Sequence, residues 1–281
     1  HIWYPEAEVA GLNSKTGYEV MNMNLGAMHN TPGDVGSYGL LYQWGRKDPF
    51  PAAPTLTGTT ATVGAPIYDG DDNEIKITNS SQSSTADNNL AFAIANPTVC
   101  LSNYAQFNTS RDWLQADMSN DALWGNPKGA ERNETNDFLN KGAKSFYDPC
   151  PVGWRVPPAD VFRNFTASGG YAWVIDDFDI ADISGDGAKS LADYDYGWTF
   201  NLSDSASSYF PAAARFDGSY AMLMGSMSGL WGSYWGNAPY PGDMFQGGAY
   251  SVLSFQIKDT AGNEMITTSP AGGGARADAY S

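Results

Sequence analysis

Histidine and cysteine are nearly missing from this chain: two of each occur among 281 residues. They are His1, His29, Cys100 and Cys150. A zinc centre takes such ligands at short, regular spacings, and these four stand far apart. A Ser–His–Asp or Cys–His–Asn set would have to be built on His29, and no Ser or Cys here sits in a nucleophile-elbow pattern. Paired carboxylates of the glycosidase kind have no sequence spacing of their own, so they stay open. Charge is scarce too, at 16% of residues, and its balance is acidic, with a formal net charge of −16. Without a basic stripe to neutralise phosphates, nucleic acid is excluded as a partner. Acidity of this kind fits a soluble, exported protein. No apolar run reaches the ~18 residues that would read as a membrane-spanning helix. The opening His1-Ile2-Trp3 has neither a charged nor an apolar leader region, as expected of a chain whose leader was removed or of a piece of something longer.

What the chain has is aromatic residues and turn formers: 9 Trp, 16 Tyr, 13 Phe, 31 Gly and 16 Pro. Such a composition buries a substantial core and breaks the chain into short elements with many loops. Short helical patterns come early and strand patterns late, without βαβ alternation, so the fold class is α+β.

The stretch from Phe146 to Pro158 (FYDPCPVGWRVPP) organises the reading. Each proline fixes φ and removes a backbone donor, and Pro149 and Pro151 hold Asp148 and Cys150 extended. Pro157 and Pro158 then open a short helix expected over 159–165. This is a stiff connection carrying Cys150 and Trp154 inward, and Cys150, Trp154 and Arg155 are expected to be structural, together with Trp44. Cys100 and Cys150 either pair or stay as two buried thiols; spacing does not decide between them.

Tyr147 to Pro157 resembles the signature of the Fibrobacter succinogenes major paralogous domain, and further pieces follow the same pattern in order. Val20 to Ala27 (VMNMNLGA) is similar to that family's "VMDRNLGA", with Asn22 and Met23 in place of Asp and Arg. Gly39 to Phe50 (GLLYQWGRKDPF) is a near-verbatim "GLYYQWGRKDPF". Tyr209 to Ala213 and Gly232 to Trp235 resemble its "FPAAG" and "GxYWSS". The resemblance spans nearly the whole chain and implies a single C-type-lectin-like domain over 1–281, similar also to the formylglycine-generating-enzyme variety of that fold. It implies a small twisted antiparallel sheet, two or more short helices and long loops. It further implies a domain on the surface of Bacteroidetes and relatives, often the C-terminal part of fimbrial tip or other adhesin lipoproteins. With no catalytic set in the chain the expectation is a non-enzymatic binding domain, the alternatives being a structural module of a pilus or envelope assembly and a carbohydrate-active enzyme. The ligand would be a glycan or host surface protein, with pilin subunits as neighbours. In the family the counterpart of Cys150 pairs with a cysteine in a C-terminal "SVRCV" strand, which would come after Ala279-Tyr280-Ser281. The reactive cysteine pair of formylglycine-generating enzymes has no counterpart near the end of this chain.

Along the chain, a strand is expected over Tyr18 to Leu25. Leu40, Leu41 and Trp44 have the spacing of one short buried helical turn. Residues 51–89 read as an insertion carrying a hairpin, Ala65–Tyr68 with Glu74–Ile77, tipped by Asp69, Asp71 and Asp72. Residues 88–96 are helical, and Thr109 to Met118 begins with capping residues. Strands are expected at 197–202, 209–214, 219–223, 229–235 and 249–257, and Pro270 to Gly274 reads as a flexible loop.

Two clusters are candidate sites. Asp176, Asp177, Asp179, Asp182 and Asp186 end in two glycines, and calcium is the cation such oxygen donors attract; Asp177, Asp179, Asp182 and Asp186 are the expected ligands. The run from Asp176 to Gly187 lacks an EF-hand's regular alternation and closing Glu, so a solvated acidic loop is the competing reading. The lectin-type calcium motifs are missing, with Trp235-Gly236-Asn237 only a partial echo. The second cluster is aromatic: Trp231, Tyr234, Trp235 and Tyr240, flanked by Asn237, Asp243 and Gln246, form the surface a sugar or peptide would meet. Its competing reading is core beneath loops. Asp204-Ser205-Ala206 and Asp259-Thr260-Ala261 resemble the O-glycosylation sequon of exported Bacteroidetes proteins.

Overall fold

The computed structural model describes residues 9–12, 17–54, 67–75, 78–80, 89–101, 113–114, 122–125, 142–158, 161–162, 165–167, 172–217, 222–237, 248–258, 264–275 and 279–280. The first half carries β1 (Val9–Leu12), β2 (Glu19–Met21), β3 (Leu40–Gln43), β4 (Pro49–Pro51), β5 (Ile67–Tyr68), β6 (Glu74–Ile75) and β7 (Thr78–Ser80). A short helix, α1 (Asn89–Ala95), precedes β8 (Val99–Leu101). The second half carries β9 (Gly197–Ser203), β10 (Ala206–Pro211), β11 (Phe216–Asp217), β12 (Met222–Leu223) and β13 (Trp231–Trp235). It closes with β14 (Gly248–Lys258), β15 (Glu264–Ala275) and β16 (Ala279–Tyr280). Tight 3-10 turns stand at Val35–Ser37, Ile175–Asp177, Leu191–Asp193 and Gly225–Met227. The architecture is α+β, mostly strands and loops.

The strands form several small sheets instead of one. Five strands run in the order β12-β11-β16-β3-β4, three as β13-β14-β15, and the rest as two-stranded pairs. Most pairing is antiparallel, but β7 and β8 run parallel. All four residues of β3 are buried. That explains why Leu40, Leu41 and Trp44, expected in a helical turn, belong to a strand and its exit: a run buried on both faces carries no period to separate strand from helix. Gly39 (φ +71°) brings the chain into β3 so closely that a Cβ would lie 2.5 Å from the Leu25 carbonyl oxygen. Leu40 N–H bonds that same oxygen at 2.8 Å.

Other expectations shift. The early strand shortens to Glu19–Met21. The supposed insertion starts inside the core, for Pro51 pairs with Leu40 and Ala52 and Ala53 are buried. Its hairpin is present as β5 and β6, with the tip folded on Asp69, whose Oδ1 accepts from Asp71 and Asn73 N–H at 2.9 Å each. The Pro270–Gly274 run is no loop: Gly272, Gly273 and Gly274 pair with Val252, Tyr250 and Ala249 within β15. Backbone hydrogen bonding to a long neighbour outweighs the weak strand preference of glycine. Both cysteines are free thiols. The helix expected at 109–118 and the sequon at 259–261 lie largely or wholly outside the described residues.

Three apolar clusters make the core. One gathers Trp44, Trp113, Trp124 and Trp235. A second stacks Phe165 on Phe200, ring centroids 4.2 Å apart, with Phe210, Phe255 and Trp198. The third holds Tyr38, Leu41, Phe50 and Cys100. Indole N–H groups tie the first to backbone: Trp235 to Tyr42 O (2.6 Å), Trp113 to Trp44 O (2.8 Å), Trp124 to Arg46 O (3.3 Å) and Trp44 to Gly236 O (3.1 Å). Arg46, 2% exposed, bonds Gln43 Oε1 and the Val99 and Pro97 carbonyls, clamping β3 to β8.

Buried phenols bond deeply placed oxygens: Tyr38 meets Ser228 Oγ (2.9 Å), Tyr194 donates to Gly229 O (2.9 Å), Tyr209 to Asp195 O (2.7 Å) and Tyr234 to Pro211 O (2.6 Å). Burial raises all four pKa values, that of Tyr38 to about 12. Unfolded phenols ionise near pH 10, so above that pH the unfolded state releases protons the folded state keeps, and stability falls. Melting followed by circular dichroism should therefore show a midpoint insensitive to these groups below about pH 10 and dropping steeply from there to about pH 12. A midpoint level across that window would refute the assignment.

Candidate functional site

The proline-rich strap is held by one carboxylate. Asp148, 1% exposed, accepts Cys150 N–H (2.9 Å) and the Lys144 ammonium (2.8 Å) on Oδ1, and Val156 N–H (2.9 Å) on Oδ2. One side chain thus joins the entrance and exit of the loop between them. Lys144 also donates to Cys150 O (2.6 Å), and Arg155 to Gly142 O (2.7 Å). Beyond the strap, Asn237 N–H bonds Pro157 O at 2.9 Å, and Val161 N–H closes a turn on Pro158 O. At the far tip Val152 is 97% exposed, and Phe146 is 80% exposed with the Lys47 ammonium 5.1 Å from its ring centre.

Between this strap and the N-terminal hairpin lies a cavity of about 530 Å³. Its floor is Tyr234 and Trp235 of β13 with Trp124 and Tyr42. One wall is Tyr18 to Met21 with Met23 and Asn24, and the other is Gly153 to Pro158 with Cys150. Such a volume holds a small ligand or a short chain segment. Burial, then the Asp148 charge, push the Cys150 thiol well above its usual pKa, so it stands in the wall as an apolar group. His29 lies elsewhere, 3.5 Å from Asp34 and accepting Thr31 N–H at 3.4 Å.

The expected aromatic cluster divides. Trp231 is half-buried, donating to Ser254 Oγ (2.8 Å) beneath the Arg215 guanidinium, which stands 4.7 Å from its ring centre. Tyr234, Trp235 and Asn237 are buried. Tyr234 and Trp235 face the cavity from below, so the structure places them in a floor instead of an outward platform. Tyr240, Asp243 and Gln246 lie outside the described residues. Trp44 is fully buried, while Cys150, Trp154 and Arg155 are half-buried wall residues. Glu19, Met21 and Met23 were missed. No local pattern marks them, because only the fold brings the hairpin beside the strap.

The acidic run folds onto its own backbone. Asp176 and Asp177 are exposed, and Asp179 accepts Asn201 Nδ2 at 3.1 Å. Asp182 takes Gly185 N–H (2.7 Å) and Gly187 N–H (2.9 Å), and Asp186 takes Ala188 N–H (2.8 Å). Asp193, which sequence reasoning passed over, accepts Ile183 and Ser184 N–H (2.9 Å each) and Ser190 N–H (2.8 Å). Burial raises its pKa, but the N–H donors at Ser184, Ser190 and Ile183 outweigh that and hold the carboxyl below the usual range. Counted from Asp182 instead of Asp176, oxygen donors fall at positions 1, 3, 5, 9 and 12: Asp182, Ser184, Asp186, Ser190 and Asp193. Gly187, in the left-handed region (φ +82°), stands at position 6. That is the oxygen register of a calcium loop with Asp replacing the final Glu. Among the described residues no three acidic, histidine or cysteine side chains are gathered as metal ligands; these carboxylates are turned to backbone N–H groups.

Replacing Asp148 removes a charged acceptor from two buried N–H groups and an ammonium. Urea unfolding of Asp148→Ala should show a loss of about 3 kcal/mol. A loss within about 0.5 kcal/mol, the range of an ordinary surface change, would show that the strap holds without it.

Among the described residues no helix is long and apolar enough to cross a membrane. Compared with known proteins, the chain matches no family model, no curated protein and no solved structure.

Proposed function

We propose that this chain is a non-enzymatic binding domain of the C-type-lectin-like kind, displayed on a bacterial surface in a fimbrial tip or adhesin protein. The observation that carries this reading is the cavity between the strap and the N-terminal hairpin. Its walls are fixed by Asp148, by the Trp235 indole bond and by prolines, so a ligand meets a surface already in place, which lowers the ordering cost of binding. The lining is rich in aromatic and methionine side chains, suited to apolar contact over a range of shapes. A host surface protein fits it better than a glycan, because the polar atoms of the floor are engaged: Tyr234 OH with Pro211 O and Trp235 N–H with Tyr42 O. The sequence resemblance supplies the surface location and the adhesive role.

Labelled full chain should bind host cells saturably, and Met23→Trp, which fills the cavity with a larger side chain, should reduce binding about tenfold, equivalent to losing one good contact. Absence of binding to every host cell type and every glycan on an array would remove the adhesive reading.

Calcium enters this proposal on the frame beginning at Asp182, with Asp182, Ser184, Asp186, Ser190, Asp193 and the Ala188 carbonyl as the oxygen donors. A calcium ion would fasten the loop between Ile180 and β9. Calcium should raise the melting midpoint of the wild type in proportion to the logarithm of its concentration, and Asp186→Ala should abolish that rise. An unchanged wild-type midpoint at millimolar calcium would eliminate the metal.

A further inference from the structure

We infer that the partner is a protein that inserts one aromatic side chain into the cavity and rests on the exposed strap tip at Val152. The inference rests on the proposal that this cavity is the ligand site, and it names what enters it. Polar side chains of the lining are already engaged. Asn24 Nδ2 donates to Tyr38 O (3.0 Å), Ser208 Oγ to Met21 O (3.2 Å) and Tyr209 OH to Asp195 O (2.7 Å). The Trp124 indole bonds Arg46 O, as the Tyr234 hydroxyl and the Trp235 indole bond their own carbonyls. A sugar hydroxyl brought in from water would give up its hydration to meet groups whose bonds are made, so the cavity rewards an apolar group.

Among apolar groups the lining favours a ring. Met21, Met23 and Cys150 bring sulfur-bearing side chains to the walls, along with Trp154 and Phe162. Thioethers make favourable contacts with aromatic rings, and aromatic walls add edge-to-face packing. The two walls are also tied together. The Tyr18 side chain of the hairpin wall is hydrogen-bonded with the Arg155 side chain of the strap wall. Arg155 is anchored in turn on Gly142 O at 2.7 Å. A segment laid along the cleft would have to break this tie, whereas a single side chain enters beside it.

The strap carries the contact beyond the cavity. Gly153 lines the space, and its neighbour Val152 stands exposed at the tip. A free aromatic molecule would be satisfied by the cavity and would leave this apolar tip in water. A protein surface that carries the aromatic side chain covers it. A buried aromatic anchor within a ring of contacts that excludes water is the form in which interface energy concentrates.

Indole is the probe for the anchor. At millimolar concentration it should raise the melting midpoint of the full chain in proportion to the logarithm of its concentration, and it should compete with the binding of labelled full chain to host cells. Met23→Trp should remove the rise. The competition on the wild type needs no variant, so it decides even where Met23→Trp lowers the midpoint by itself. Val152→Asp should lower host-cell binding about tenfold, and trypsin treatment of the cells should abolish it. A wild-type midpoint indifferent to indole, or cell binding undiminished at saturating indole, overturns the aromatic anchor. Wild-type binding by Val152→Asp overturns the contact at the strap tip, and binding that survives trypsin overturns the protein partner. If Met23→Trp loses cell binding while indole neither binds nor competes, the anchor falls and the cavity stands as the site. If Met23→Trp binds cells as the wild type does and indole has no effect, both fall.

Discussion

Four indole N–H groups bonded to backbone carbonyls hold this molecule together. Three of the acceptors, Tyr42 O, Trp44 O and Arg46 O, alternate along one short segment, and the donors come from Trp235, Trp113 and Trp124. Trp44 returns the contact to Gly236. A buried carbonyl without a donor costs about 1–3 kcal/mol, so each bond lets a deep strand end and a loop begin without that loss. The same rings pack on one another, Trp44 against Trp124 at 5.5 Å and Trp124 against Trp235 at 6.3 Å between centroids. Polar satisfaction and apolar burial are thus met by the same side chains. The cavity inherits its fixed floor from this arrangement.

What was legible in the sequence was whatever prolines and local patterns dictate. The strap announced itself through four prolines, and the structure places Cys150, Trp154 and Arg155 of that strap in the cavity wall. The β5–β6 hairpin, α1 and the strands β9, β10, β12, β13 and β14 were visible from turn residues and alternation, whereas the two-residue β11 was not. Misread segments share a cause. In β3, burial on both faces removes any period, and in β15 a run of glycines lies in a strand because β14 supplies the hydrogen bonds. Tertiary pairing decided both cases, and no window of local sequence contains it.

The candidate site shows the same division. Asp182 and Asp186 were recognised as oxygen donors, but the frame was opened six residues early, which left Asp193 out of the count. Tyr234 and Trp235 were found by aromatic crowding, which does not tell a platform from a floor. Glu19 and Met23 had no signal, since their importance arises from a neighbour more than a hundred residues further along the chain.

One topological detail bears on how the molecule is made. β16 lies between β11 and β3, so Ala279 and Tyr280 separate strands drawn from distant parts of the chain. During synthesis, β3 is complete long before its neighbour leaves the ribosome, and an apolar strand with a vacant side waits in the nascent chain. Such a chain completes this sheet only once β16 has emerged to separate β11 from β3.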